Sequence, residues 1–473
     1  MKVPTAILLV YTVFLLLLGY LEFRRKEGLT GFLVANRKAS TLQVAFSMIA
    51  TCVGGTATIG IAGNVLVKGF PAIWWLLSGA LGLLVLALSL AKTVRQTQAM
   101  TLPEIAQHAI GPPARPISAV IICIAWCSIL AAQFSACAHI VSAFGVSFET
   151  ALPCCCLVIV LYTALGGQAS VIKSDIIQYL LVIAAFAGVL LWLFFTKEQA
   201  FALVRWELVN ERFSYGEIGY YLLFVGASYI VDPMLFSRLL SARDEKTALR
   251  GALWGALGIA LSGLAIVLTG FGAMTFIEGD IRPDQLLTVT LFRQLPPSLG
   301  LFLLLGLLSA IISSADTCLV TASSIFAHDI VRSHHLALYR LMTLIFGLAA
   351  LLLAVRGDAI LSYLLAANDI FVGGVVVPLF VAMISGGRVR MRPMLAAMTA
   401  GGALGLVSAL GGILNKGSLW DSKVYSVCGI LLSLLLSLAA RNGGNETAGW
   451  QAQPLAELRP PAILIKESWR VLF

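Results

Sequence analysis

Apolar runs with no or almost no Asp, Glu, Lys or Arg, each about twenty residues long and separated by short polar stretches, recur along almost the whole chain. A helix needs such a run to cross roughly 30 Å of hydrocarbon at about 1.5 Å per residue. The pattern predicts about thirteen transmembrane helices, near 3–22, 41–66, 70–91, 116–144, 150–168, 175–196, 218–240, 250–277, 299–327, 339–355, 359–383, 393–414 and 424–440. Only Lys2 precedes the first run, and no small-residue cleavage signature follows it, so it reads as a retained span and not as a signal peptide. The expectation is one transmembrane domain over 1–440 and a tail over 441–473. Pro454, Pro460 and Pro461 argue against a long helix in that tail, and 462–465 reads as an apolar stretch that touches the membrane.

Composition agrees: of 473 residues 59% are hydrophobic and 12% charged, and mean hydropathy is +0.94. A soluble globular chain carries about 25% charged residues. A secreted enzyme, a nucleic-acid binder and a soluble receptor are thereby excluded as the main activity. The net charge of +9 acquires meaning from where the charges fall. Arg24, Arg25, Lys26, Arg37, Lys38, Lys92, Arg95, Arg115, Lys173, Arg238, Arg243, Lys246, Arg250, Arg332, Arg340, Arg388, Arg390 and Arg392 all fall on one side, which predicts the N-terminus outside and the C-terminus in the cytoplasm of a bacterial inner membrane. The Asn445-Glu446-Thr447 sequon is then cytoplasmic and unglycosylated. The nine cysteines sit nearly all inside apolar runs and read as small packing residues. The Cys154 to Cys156 triplet has no nearby His or carboxylate to complete a soft-metal site.

Two spans carry interruptions at mid-membrane: Gly54-Gly55 in the second and Asp232-Pro233 in the seventh. They lie five spans apart and run in opposite directions, and a matched pair of broken helices in two inverted halves marks the central site of a transporter. Unwound turns bare carbonyls that bind cations. The plainer reading of the small residues in span 2 is close helix packing. Ionisable groups inside spans are costly and point to function. Asp175, Asp232, Asp316 and Asp369 lie within apolar sequence with no basic residue at comparable depth, which predicts a cation pathway. Asp175 also fits a simple cap at the start of its span. Span 9 adds Ser313, Ser314 and Thr317 around Asp316, hard oxygen ligands suited to a small hard cation.

Four segments, in order, resemble the sodium:solute symporter family. They are Phe32-Leu33-Val34-Ala35-Asn36-Arg37; Tyr162 to Gly167 with Val171, Asp175 and Gln178; Arg238 to Ala242; and Ala310, Ser313 and Ser314 followed by Ile325 to Ile330. The resemblance implies an all-α polytopic protein with the leucine-transporter-like 5+5 inverted-repeat bundle. Its repeats would cover about 41–196 and 218–383, with an extra N-terminal helix and two C-terminal ones. It further implies one sodium on the carbonyls of Ala50, Val53 and Ala310 and the hydroxyls of Ser313 and Ser314. A second cation site, found in some members, would map to Asp175, Ser313, Asp316 and Thr317. The solute pocket would involve Cys52, Ala57, Trp75, Asp232 and Asp369. Ser313 to Asp316 and Asn368 to Pro378 also look like the choline-transporter branch. The aromatic positions of that branch fall here at Cys52 and Asp232, and a quaternary-ammonium cage needs ring faces.

The expected function is sodium-coupled import of a small polar organic solute, with pocket carboxylates favouring an amine or amino acid. The alternatives are a membrane sensor or a proton-coupled carrier on the same fold. An intramembrane enzyme finds no support in the five histidines, His108, His139, His328, His334 and His335, which form no HExxH, lie mostly at inner loops and read as solvated loop groups. The segment 276–298 reads as a lid over the outer vestibule. A monomer is the expected state.

Overall fold

A computed structural model describes residues 2–24, 28–142, 145–196, 201, 204–277, 281, 283–287, 294–355, 360–414 and 422–441. Helix dominates, and among the described residues β-pairing is limited to two isolated bridges, Ala39 with Ala242 and Asn210 with Phe213. The helices that matter below are α1 (Lys2–Arg24), α2 (Thr41–Cys52), α3 (Ile61–Lys68), α4 (Trp74–Ser89), α5 (Ala114–Ser142) and α6 (Phe148–Thr196). They continue with α7 (Tyr215–Ser241), α8 (Glu245–Met274), α9 (Pro297–Ile325), α10 (Leu336–Ala354), α11 (Tyr363–Ile384), α12 (Met391–Leu414) and α13 (Ser422–Arg441).

Ten helices are long and apolar enough to cross a membrane, or eleven if the bent pair of α2 and α3 counts as one span. That count does not reach the thirteen expected. It leaves out α1, and it takes as one helix the 49-residue α6, which holds the expected spans 150–168 and 175–196 on either side of a kink at Gly167.

The second span starts and stops for local reasons. Ser40 and Gln43 form a capping box, with Gln43 Oε1 accepting from the Ser40 amide at 2.9 Å and Ser40 Oγ from the Gln43 amide at 3.4 Å. The helix ends at Cys52, Val53 leaves helical geometry (φ −93°, ψ 58°), and the two halves bend by 60°. Breaking a helix inside a membrane strands backbone groups, and here the buried Gln133 of α5 accepts from the Gly55 amide at 3.1 Å. The seventh span breaks at Val231 and Asp232. Asp232 Oδ1 accepts from the Met234 and Leu235 amides at 2.7 and 2.9 Å, and Pro233 occupies the first helical position.

Central α9 is buried along nearly its whole length and packs on α6, α5 and α10. The extra N-terminal helix docks on it, with Tyr11 hydroxyl 2.8 Å from Ser309 Oγ and accepting from Gln178 Nε2 at 3.3 Å. At the other end of the chain α12 and α13 pair and cover α11. Most of the expected 276–298 lid lies outside the described residues. Its described turn, Pro283–Gln285, presses on the broken span so closely that a Cβ at Gly63 would lie 2.0 Å from the Pro283 carbonyl oxygen. The tail beyond Arg441 also lies outside them.

Candidate functional site

Four of the five expected sodium ligands converge where α9 crosses the end of α2. Ser313 Oγ donates to the carbonyls of Ala50 and Ala310, each at 3.0 Å. Ser314 Oγ lies 2.9 Å from the Thr51 carbonyl, 3.2 Å from that of Ala310 and 3.5 Å from that of Ala50. Oxygens about 2.4 Å from one hard cation and at right angles are about 3.4 Å apart, so this cluster needs little adjustment to become a coordination shell. The Thr51 carbonyl, absent from the sequence expectation, belongs to the cluster. Val53 is fully buried just past α2, with its amide donating to Ile49. Gly54 keeps the crossing tight: a Cβ there would lie 2.3 Å from Ser314 Oγ.

The expected second set is also gathered, but around a cation of the protein's own. The reading that no basic residue shares the depth of the acids is corrected by Arg238, which is fully buried together with Asp175, Asp316 and Thr317. Arg238 Nη2 lies 3.1 Å from Asp175 Oδ2 and 2.6 Å from Thr317 Oγ1, while Nε donates to Ser47 Oγ at 2.9 Å and Nη1 to Ser237 Oγ at 3.1 Å. Ser47 in turn donates to Asp175 Oδ2. Asp175 is therefore an ion-paired residue within α6 and not a helix cap. Thr317 Oγ1 donates to the Ser313 carbonyl at 2.9 Å and lies 3.4 Å from Asp316 Oδ1, so the two sets share one turn of α9. Among the described residues, Asp175 Oδ1 and Asp316 Oδ2 are buried without a hydrogen-bond partner.

Of the expected pocket residues, the two breaks bring Cys52 and Asp232 into one neighbourhood. Cys52, Tyr229 and Asp232 lie within electrostatic reach of one another. Ala57 is buried in the wide turn after the break. Trp75 is buried edge-on against Tyr221, centroids 5.6 Å apart, and the Tyr221 hydroxyl accepts from Lys68 Nζ at 3.0 Å. Sequence reasoning passed over Lys68, whose ammonium also lies 5.0 Å from the Phe213 ring. Asp369 is half-buried, and its Oδ2 accepts from Ser408 of α12 at 3.1 Å, so this carboxylate engages the C-terminal helices.

A further cluster locks the far end of α9. Asp329 Oδ1 accepts from Arg115 Nε at 2.7 Å and from Thr101 Oγ1 at 2.9 Å, with the Asp329 side chain fully buried. His328 Nε2 lies 3.6 Å from Glu104 Oε2, and its side chain is only 12% exposed, which corrects its reading as a solvated loop group. His334 and His335 are exposed, as expected. Among the described residues no group of three or more His, Cys, Asp or Glu could hold a metal ion, and all nine cysteines are free.

The model of the sodium:solute symporter family matches residues 32–401. The chain belongs to that family. Sodium is the coupling ion of the family, and the protein is a multi-pass membrane transporter. It is 25% identical over 345 residues to sodium/proline symporter 2 of Staphylococcus saprophyticus, covering 68% of this chain and 67% of that one. To the high-affinity proline transporter of Bacillus subtilis it is 25% identical over 342 residues, covering 67% and 72%. Among solved structures, a substrate-bound, outward-open Na+-coupled sialic acid symporter superposes with a TM-score of 0.75 at 16% identity, covering 93% of this chain and 98% of that one. A nucleobase-cation-symport-1 transporter in a closed conformation gives 0.58 at 14% identity, covering 86% and 93%. These likenesses establish the leucine-transporter-like fold.

Proposed function

We propose that this protein couples inward sodium movement to uptake of a small polar organic solute with an amine- or amino-acid-like group. The two repeats, about 41–196 and 218–383, would exchange access around a fixed site, with the N-terminus outside and the C-terminus in the cytoplasm. The observation that carries the reading is the convergence of Ala50, Thr51 and Ala310 carbonyls with the Ser313 and Ser314 hydroxyls between a broken helix and α9. Sodium there would tie α2 to α9. Cys52 is the last residue of α2, so the same tie would order the pocket wall, which makes coupling a linkage of two affinities. Asp232 supplies a carboxylate for a positive group on the solute, and the similarity to proline symporters favours an amino acid.

Thermal unfolding of the purified protein in sodium against potassium tests this. A ligand at about 100 times its dissociation constant adds about 2.7 kcal/mol to the folded state. The expected result is a sodium-specific rise that Ser313→Ala abolishes, followed by a further rise with one class of solute from a library of amino acids and amines. Absence of any sodium response would favour a proton-driven carrier or a sensor.

A further inference from the structure

We infer that the guanidinium of Arg238 takes the place of a second coupling cation, so that this chain binds a single sodium ion per transport cycle. The inference rests on the sodium reading above and goes beyond it by assigning the ion count. Its first support is position. Of the residues expected to hold a second ion, Asp175 and Thr317 both touch one nitrogen, Arg238 Nη2, at 3.1 and 2.6 Å. A sodium ion bridging Asp175 Oδ2 and Thr317 Oγ1 would need those two oxygens at about 2.4 Å, in the space the nitrogen fills. The remaining donors are also engaged, Nε on Ser47 and Nη1 on Ser237, with Gln168 Nε2 donating to Ser237 Oγ at 3.3 Å behind it. Arginine suits this role because its planar fork keeps its charge in any surroundings and holds several acceptors at once.

The second support is charge balance. Asp175, Asp316 and Arg238 are all fully buried. With the buried Asp232 left to the solute's positive group under the proposed function, two carboxylates against one guanidinium leave one negative charge, and the unpartnered oxygens Asp175 Oδ1 and Asp316 Oδ2 mark where it is felt. One sodium among Ala50, Ala310, Ser313 and Ser314, a turn away on α9, brings the sum to zero. A second would leave a net positive charge among fully buried groups, which desolvation opposes. Thr317 joins the two positions, since it accepts from Arg238 while donating to the Ser313 carbonyl at 2.9 Å. Removing Arg238 while keeping Asp175 should therefore open room, ligands and a charge deficit for a second sodium.

The test counts sodium bound to the full-length protein, with radioactive sodium on immobilised carrier and the Hill slope of sodium-dependent thermal stabilisation read together. Wild type should bind one ion with a slope near 1. Arg238→Gln should bind two, the second disappearing in Arg238→Gln/Asp175→Asn, while Arg238→Lys stays at one. Arg238→Met serves as a second neutral variant. Two ions on wild type, one of them lost with Asp175→Asn, would overturn the inference, as would a folded neutral variant that gains none. Should neither neutral variant fold, the wild-type count decides: one supports, two overturns. Failure of the underlying sodium reading has a separate signature, no ion on wild type at all. In that case an Asp175-dependent sodium gained by Arg238→Gln still supports the assignment, and no gain overturns it.

Discussion

At the scale of single residues, the family-like motifs turn out to be contacts. Phe32 and Gly167 belong to two motifs far apart in sequence, yet a Cβ on Gly167 would sit 2.3 Å from the Phe32 ring. Gly167 also adopts φ +60°, ψ −163°, a region open essentially to glycine. Gly167→Ala should therefore lose about 1–3 kcal/mol to backbone strain and a similar amount to overpacking. Only the second part depends on the ring. In a Phe32→Ala background the cost should shrink, giving a coupling of about 0.5–3 kcal/mol in a thermal-unfolding double-mutant cycle. Equal costs in both backgrounds would show that the ring is not what Gly167 accommodates. Gly54→Ala pushes a methyl toward Ser314 Oγ and should weaken sodium binding by at least about tenfold, or 1.4 kcal/mol, in a sodium titration. An unchanged affinity would remove Ser314 from the proposed ligand set.

At the scale of elements, hydrophobic runs located the helices well because a lipid-facing helix has little choice of residue. The breaks were equally legible, since Gly54-Gly55 and Asp232-Pro233 oppose helix continuation by their own chemistry. What a linear pattern could not show is how helix ends are held. The end of α9 is clamped by Arg115, Thr101 and Glu104, which lie more than two hundred residues earlier in the chain. Arg115→Met leaves the buried Asp329 without its partner and should cost about 3–5 kcal/mol. Arg115→Met/Asp329→Asn removes both charges and should recover a substantial part, so a double variant no more stable than the single would refute a charge-based clamp. Acid loosens the same region. Burial pushes the Glu104 carboxyl up, but the His328 hydrogen bond, the Met100 amide and the nearby charges of His328 and Arg115 outweigh it and hold it below its ordinary value of 4.5. A group depressed in the fold stabilises above its unfolded value and loses that contribution as pH falls. Hydrogen-exchange protection over residues 100–110, taken relative to the intrinsic rate at each pH, should accordingly fall below about pH 4.5 in wild type and show a smaller pH response in Glu104→Gln.

At the scale of the whole molecule, the resemblance could point to the proposed sodium position because the ligands it implies, main-chain oxygens at a break plus hydroxyls on one helical turn, are brought together in the fold. The Arg238 network could not be read from the chain. Charge placed by position along the chain counts Arg238 with the inner-side basic residues at the end of its span, and its partner Asp175 lies 63 residues earlier in the chain. The proposed pocket is legible only to the extent that its carboxylates are, and there Asp232 would carry two roles that one substitution separates. As the cap of the helix after the break, it needs only an acceptor oxygen, which Asn also supplies. As a partner for a positive group on the solute, it needs its charge. Asp232→Asn should therefore fold and keep the sodium-dependent thermal shift of wild type while losing at least about tenfold in affinity for an amine- or amino-acid-like solute. Asp232→Ala should lose the cap as well, with a drop of about 1 kcal/mol in stability. An Asp232→Asn protein that transports the same solute with unaltered affinity would confine Asp232 to holding the break, and would leave recognition of the positive group to another acceptor in the pocket.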